Sequence, residues 1–369
     1  MKKIMCIFGT RPEAIKMAPL IKEIQNHSEL TPCVCLTAQH RSMLDQAMEF
    51  FELKSDYDLD LMAPNQSLVT LAGNAIKGLG EVIEDAHPDA ILVQGDTTTT
   101  LSGALAGYYA GVPVGHVEAG LRTGNFDAPF PEEMNRVLTT KLAKWHFCPT
   151  MSNKANLLAE GVDEKHIFVT GNTVIDALLW TRRKQLSVQE TIGDKRPYVL
   201  ITGHRRESFG TGFEIICKAI ASLAQQYPSY DFVYPVHLNP NVQDPVNKIL
   251  SGIKNVKLIE PQSYPNFVTL MNDAYFILTD SGGVQEEAPS LGKPVLVMRD
   301  TSERTEGLDG CVRLVGAKEE AIILEGMKLF DDKAHYKSMA EAVNPYGDGK
   351  AAARIVSELA GLLSKDVND

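Results

Sequence analysis

The chain has 369 residues; at about 150 residues per domain, that length predicts two domains whose cores need no disulfide or metal staple. Apolar residues at 44% and charged residues at 22% match ordinary globular chains and exclude a mostly disordered one. A net charge of −11 argues against nucleic-acid binding and against an anionic membrane surface, but not against a local basic pocket for an anionic small ligand. No apolar run reaches the length of a membrane-spanning helix. Met1-Lys2-Lys3 precedes only five apolar residues, Ile4 to Phe8, too few for a signal peptide, so this stretch reads as the first strand. The six cysteines form no CxxC pair and read as reduced, buried thiols of a cytoplasmic protein.

Strands are predicted over Lys3–Phe8, Pro32–Thr37, Ala90–Gln94, Val112–Val117 and Trp145–Cys148. Helical stretches run over Pro12–Asn26, Leu68–Ala86, Thr98–Ala110 and Glu132–Ala143. A second series has strands over Tyr198–Thr202, Asp231–Pro235, Val256–Ile259, Tyr275–Thr279 and Pro294–Met298. Helices over Gly212–Gln226, Pro265–Asn272 and Val284–Leu291 separate them, and an amphipathic helix, Ala351–Leu363, closes the chain. Such alternation predicts an α/β protein with parallel sheets in two Rossmann-like domains facing across a cleft. The polar stretch SVQETIGDKR (187–196) marks the boundary. The expected parts are therefore 1–186, 187–350 and a closing helix over 351–369. Ligands of open α/β sheets bind beyond the carboxyl ends of strands, so functional residues should follow strands directly.

The unusual residues cluster there. After the first strand comes Gly9-Thr10-Arg11-Pro12-Glu13-Ala14-Ile15-Lys16. Gly9 suits a tight turn and Pro12 a first helical turn. Arg11 and Lys16 put positive charge beside a helix N-terminus, a phosphate site or else a solvated basic pair. After the next, Asp96 precedes four threonines, as a catalytic acid or as a plain helix cap. Glu118 ends a third strand between small residues, a candidate general acid or base. Glu132 and Glu133 follow Pro131, where they also suit a helix dipole, and Arg136 lies one turn on, at ion-pair spacing from Glu132. In the second half His204 sits with Arg205 and Arg206 after a strand, a polyanion signal. Ser281-Gly282-Gly283 offers backbone amides for phosphate. Glu287 lies one turn into the following helix, as a ribose acceptor or a dipole acid. The run ending in Arg304 carries further charge. There is no Walker A loop, GxGxxG, HExxH, zinc-spaced His/Cys cluster or GxSxG elbow; Asp58-Leu59-Asp60 matches a metal-binding DxD only weakly.

Ten motifs span residues 9–349: GTRPEAIKMAPL (9–20), TAQHR (37–41), GDTTTT (95–100), GHVEAGLRTG (115–124), PEEMNR (131–136), GNTVIDAL (171–178), TGHRRESFG (202–210), PVHLNPNV (235–242), TDSGGVQEEAPSLGKPVLVMRD (279–300) and NPYGDG (344–349). Together they resemble the non-hydrolysing UDP-N-acetylglucosamine 2-epimerases of bacteria over nearly the whole chain. The resemblance implies a glycosyltransferase-B architecture with the C-terminal helix crossing back to the first domain, and a homodimer. It implies interconversion of UDP-GlcNAc and UDP-ManNAc with no cofactor, neither NAD nor metal. The implied mechanism is anti elimination of UDP to a 2-acetamidoglucal, followed by re-addition; the product supplies cell-surface polysaccharide. It carries catalytic roles to Asp96, Glu118, Glu132, Arg136 and His204. Nucleotide contacts fall on Arg11, Lys16, Gln262, Phe267, Ser281, Gly282, Gly283, Glu287 and Arg304, and an allosteric substrate site on Gln39, His40 and His237. Two departures stand out. Ser42 and Asn65 replace a Gln and an Arg that some members carry in the allosteric pocket, and Thr305 replaces an expected Pro. A hydrolysing epimerase, a glycosyltransferase and a non-catalytic nucleotide-sugar sensor are the rival readings; the intact acids count against the last.

Overall fold

The computed structural model describes residues 1–365 apart from 39–40, 64–65, 185, 188–191, 194–195, 204, 206–208, 303 and 309, together with the side chain of Ser42. Its strands and helices, in chain order, are β1 (Lys2–Phe8), α1 (Arg11–Gln25), β2 (Leu30–Leu36), α2 (Arg41–Phe50), β3 (Tyr57–Asp58), α3 (Leu68–Ala86), β4 (Ala90–Gln94), α4 (Thr98–Tyr109), β5 (Val114–Val117), α5 (Glu132–Leu142), β6 (Trp145–Cys148), α6 (Met151–Ala159), β7 (Ile167–Val169) and α7 (Thr173–Arg183). They continue with β8 (Tyr198–Thr202), α8 (Thr211–Gln226), β9 (Asp231–Pro235), α9 (Pro240–Leu250), β10 (Val256–Ile259), α10 (Tyr264–Asp273), β11 (Ile277–Thr279), α11 (Gly282–Glu287), β12 (Val295–Val297), β13 (Val312–Leu314), α12 (Glu319–Asp331), α13 (Lys333–Ala340) and α14 (Ala351–Lys365).

The first sheet has the order β3-β2-β1-β4-β5-β6-β7 and the second β10-β9-β8-β11-β12-β13. Every strand pair among the described residues is parallel. Both are doubly wound Rossmann-like sheets. The strand order reverses between β1 and β4 in the first and between β8 and β11 in the second, and the reversal opens a crevice at the carboxyl ends. Helices on both faces explain why strands such as AILVQ and YVLIT are apolar in run up to a polar last residue rather than alternating. The two faces of β8 separate cleanly: Val199 and Ile201 enter one core with Phe213 and Ile220, while Tyr198 and Leu200 enter the other with Met271 and Ile277.

Two compact units result, Met1–Ala177 with Tyr346–Asp369, and Leu178–Pro345. The chain leaves the first unit inside α7, not at the polar stretch 187–196, because Leu178 is fully buried in the core of the second unit. The closing helix α14 belongs to the first unit. Its Ala351, Ala352, Ile355, Val356, Leu359 and Leu363 are buried, and it packs beside α1. Asp176 caps it, accepting bonds from the amides of Ala351 and Ala352 at 3.1 and 3.0 Å.

Sequence patterning missed β3, β7 and β13. All three are edge strands of two or three residues, too short to show a period and half-exposed, as edges are. Asp58, in the DxD triplet, ends β3 and pairs with Arg41 at 2.5 Å, an ordinary surface ion pair.

Candidate active site

Gly9 ends β1 for a reason other than a tight turn. A Cβ there would lie 2.0 Å from Thr37 Oγ1 and 2.7 Å from Thr99 Oγ1, two hydroxyls that bond each other at 2.7 Å. Only glycine leaves room for that bond. Thr10 and Glu13 then form a capping box at the start of α1. Arg11 follows in the first turn of α1. Burial lowers its guanidinium pKa, and no carboxylate opposes the shift. A desolvated cation of this kind seeks an anion.

After β4, Asp96 is not the helix cap. Thr97 is the helix cap of α4, its hydroxyl accepting from the Thr100 amide at 3.2 Å. The Asp96 carboxylate is held instead by Arg136 Nη2 at 2.6 Å, and Asn135 Nδ2 donates to its backbone carbonyl at 2.9 Å. Arg136 comes from α5, is 4% exposed and also contacts Glu133 at 3.0 Å. It therefore pairs with Asp96 and Glu133 rather than with Glu132. Glu133 in turn accepts the amides of Thr123 and Gly124, so of the two neighbouring acids Glu133 is the structural one.

Glu118 directly follows β5 with φ 66°, a left-handed conformation uncommon outside glycine. Its carboxylate takes the Lys16 ammonium and a 2.5 Å bond from Gln94 Nε2. Burial raises the pKa of Asp96, helped by the negative charge of Glu118 and Glu132 and opposed by Arg136 and Lys16. These five side chains therefore form one electrostatic cluster at the carboxyl ends of β1, β4 and β5. Beneath it, His116 Nε2 lies 2.7 Å from the Gly95 carbonyl, and a carbonyl only accepts, so that nitrogen carries the proton. Burial pushes His116 down to about 4; it is a neutral prop, not an acid. Gln94 and Glu13 were not singled out from sequence. A polar residue ending a buried strand and the T-x-x-E spacing were the signals available.

The second unit repeats the plan at its own switch point. Thr202 and Thr279, ending β8 and β11, share a 2.6 Å bond. Asp280, fully buried, accepts from the Arg205 amide at 2.7 Å. His204 lies outside the described residues. The Ser281 amide bonds Thr279 Oγ1 at 2.9 Å. A Cβ on Gly282 would fall 2.5 Å from Arg304 Nη1; this glycine admits the Arg304 guanidinium, which bonds Glu286 at 2.6 Å. Glu287 is the last residue of α11, which runs on directly into a 3-10 turn over Ala288–Leu291. Its carboxylate accepts from the Tyr264 hydroxyl at 3.1 Å. Phe267 is half-buried beside that core, and Gln262, also half-buried, bonds the Glu260 carbonyl at 2.7 Å. His237 is exposed beyond β9, its Nδ1 accepting from the Asn239 amide. Gln39 and His40 lie outside the described residues, as do Asn65 and the Ser42 side chain.

The family profile described as UDP-N-acetylglucosamine 2-epimerase matches residues 22–360. The UDP-N-acetylglucosamine 2-epimerase of Yersinia pestis is 55% identical over 368 residues, covering 97% of this chain and 98% of that protein. The Escherichia coli K12 enzyme of the same name is 53% identical with the same coverage. Among solved structures, the Neisseria meningitidis UDP-GlcNAc 2-epimerase bound to UDP-GlcNAc has a TM-score of 0.89 and 50% identity, covering 97% of this chain and 100% of that one. Profile, relatives and fold agree over nearly the full length, and the chain belongs to the UDP-N-acetylglucosamine 2-epimerase family.

Proposed function

We propose that this protein interconverts UDP-GlcNAc and UDP-ManNAc by elimination and re-addition of UDP. The supporting observation is the cluster of Asp96, Glu118 and Glu132 around Lys16 and Arg136. The C2 proton is not adjacent to a carbonyl, so simple deprotonation is very hard. In the elimination a carboxylate takes that proton, the C–H electrons form the C1=C2 bond, and the C1–O pair leaves with UDP. A proton then returns to the other face of C2 as a UDP oxygen attacks C1. Three acids with mutually perturbed charges suit a two-face proton transfer. Arg11, desolvated and unopposed by a carboxylate, suits the leaving diphosphate, with Lys16 and His204 in the same role, and Arg136 orients Asp96.

In this reading the second unit holds the nucleoside. Glu287, steadied by Tyr264, takes the ribose hydroxyls, Phe267 and Gln262 lie against uracil, and Ser281, Gly282, Gly283 and Arg304 line the diphosphate. We place the enzyme in the cytoplasm as a homodimer. The burial of all six free thiols supports a reducing compartment, and the dimer rests on family resemblance, with a solution mass near twice 40.5 kDa as its check. Activation by a second substrate molecule at Gln39, His40 and His237 is carried by resemblance alone.

Proton NMR of the protein with UDP-GlcNAc in D2O tests the reading. UDP-ManNAc carrying deuterium at C2 is expected. Accumulating UDP with free ManNAc would move the chain to hydrolysis, and an unchanged spectrum would refute turnover.

A further inference from the structure

Four consecutive threonines open α4, although β-branched residues are poor helix formers, and the catalytic cluster uses none of them. Partners explain three of them, Thr97, Thr99 and Thr100. Thr99 bonds Thr37 over Gly9. Thr100 bonds the Gln94 carbonyl at 2.6 Å. Thr97 donates to Glu13 Oε1 at 2.7 Å, and Thr100 approaches the same oxygen at 3.4 Å. The other oxygen of Glu13 accepts the amides of Gly9 and Thr10, at 3.1 and 2.8 Å, and the Thr10 hydroxyl at 2.7 Å.

Glu13 is 2% exposed, and its two oxygens receive four donors, since the single Thr100 hydroxyl proton goes to the Gln94 carbonyl. A capping box needs only the Thr10 contacts. The bond from Thr97 crosses 84 residues of chain and spans the switch point between β1 and β4. One of the two loops joined in this way carries Arg11 and the other Asp96. A carboxylate suits the position because it only accepts, whereas an amide would turn a donor toward one loop or the other.

We propose that Glu13 is a positioning residue whose carboxylate ties the Arg11 loop to the Asp96 loop, setting the cation that receives the leaving diphosphate against the acid that handles the proton. The proposal rests on the epimerase reading and extends it to a residue that touches no substrate. Elimination and re-addition both need the diphosphate and the proton-bearing acid in register, so a loosened tie slows turnover and lets the intermediate escape.

Glu13→Gln keeps an oxygen for the capping box while presenting an amide to α4. Misplacement costs of about 10²-fold are the scale expected for kcat, with UDP affinity changed by less than about threefold. Released UDP and 2-acetamidoglucal should rise relative to epimer, a partition that general loosening of the fold does not move. Thr97→Val should reproduce the pattern from the other side of the tie, and Thr97→Ser, which keeps the hydroxyl, should restore it. The Thr97 pair decides the matter if Glu13→Gln fails to fold. A folded Glu13→Gln with parental kcat and partition overturns the proposal, as does a Thr97→Val indistinguishable from Thr97→Ser; both leave the epimerase reading standing. A parent chain that does not turn over UDP-GlcNAc overturns that reading, and this proposal with it.

Discussion

At Glu118 the backbone adopts a conformation that costs a non-glycine residue about 1–3 kcal/mol, and the side chain is then held by Lys16 and Gln94. Asp96 is held in turn by Arg136. In the proposed reaction these held acids carry the proton transfer. Asp96→Asn and Glu132→Gln should each lower kcat by about 10²–10⁴-fold, the usual contribution of a positioned acid or base, while UDP binding by calorimetry changes little. Near-parental rates would refute the assignment. The electrostatics add a signed expectation. Arg136 draws the Asp96 pKa down against burial, so Arg136→Met should move the acid limb of the kcat–pH profile to higher pH. An unmoved limb would mean that Asp96 ionisation does not limit the rate.

At the scale of elements, β5 and β6 set His116 opposite His146 in register. Burial pushes them down to about 4 and about 3. An unfolded histidine titrates near 6.5, so below that pH the unfolded chain binds more protons and stability falls as the solution is acidified from 6.5 toward 4. Asp176 at the start of α14 works the other way. Burial raises it to about 6 from its ordinary 3.8, so its contribution is lost as pH rises through that window. The two histidines outweigh it at about 1.4 kcal/mol per pKa unit. Urea midpoints should therefore drop from pH 7 to pH 4.5, and His146→Gln, which cannot charge, should reduce the drop. These pairings lay outside sequence reading. The central strands and the helices α1, α3, α4, α5, α8, α10 and α14 were legible from their apolar patterns; α2, α6, α9, α12 and α13 were not among the predicted helices, and the edge strands β3, β7 and β13 carry too few residues to announce themselves.

For the whole molecule, the most consequential connection is the return of α14 to the first unit. Ile355, Val356, Leu359 and Leu363 are buried there, together about 6–12 kcal/mol at the usual value for a buried aliphatic side chain, which is comparable with the entire stability of a domain. Removing residues 351–369 should abolish hydrogen-exchange protection in β1 and α1 while leaving β8 and β11 protected; retained protection in β1 would show that the helix is dispensable. The resemblance led to the expectation of this return, and the buried face of α14 is its physical basis.

Period and composition alone established the alternating α/β plan and two parallel sheets. They also placed Arg11, Asp96 and Glu118 beside strand ends and Glu287 one turn into a helix, since those signals are local and each element carries its own. Tertiary structure decided who meets whom. It gave Lys16 to Glu118 across 102 residues and Arg136 to Asp96 across 40. It gave the helix cap to Thr97 instead of Asp96 and four donors to Glu13, and it moved the unit boundary back to Leu178. Those choices follow from strand order, which sets β1 beside β4. Neighbours across a crossover share no local pattern from which their pairing can be read.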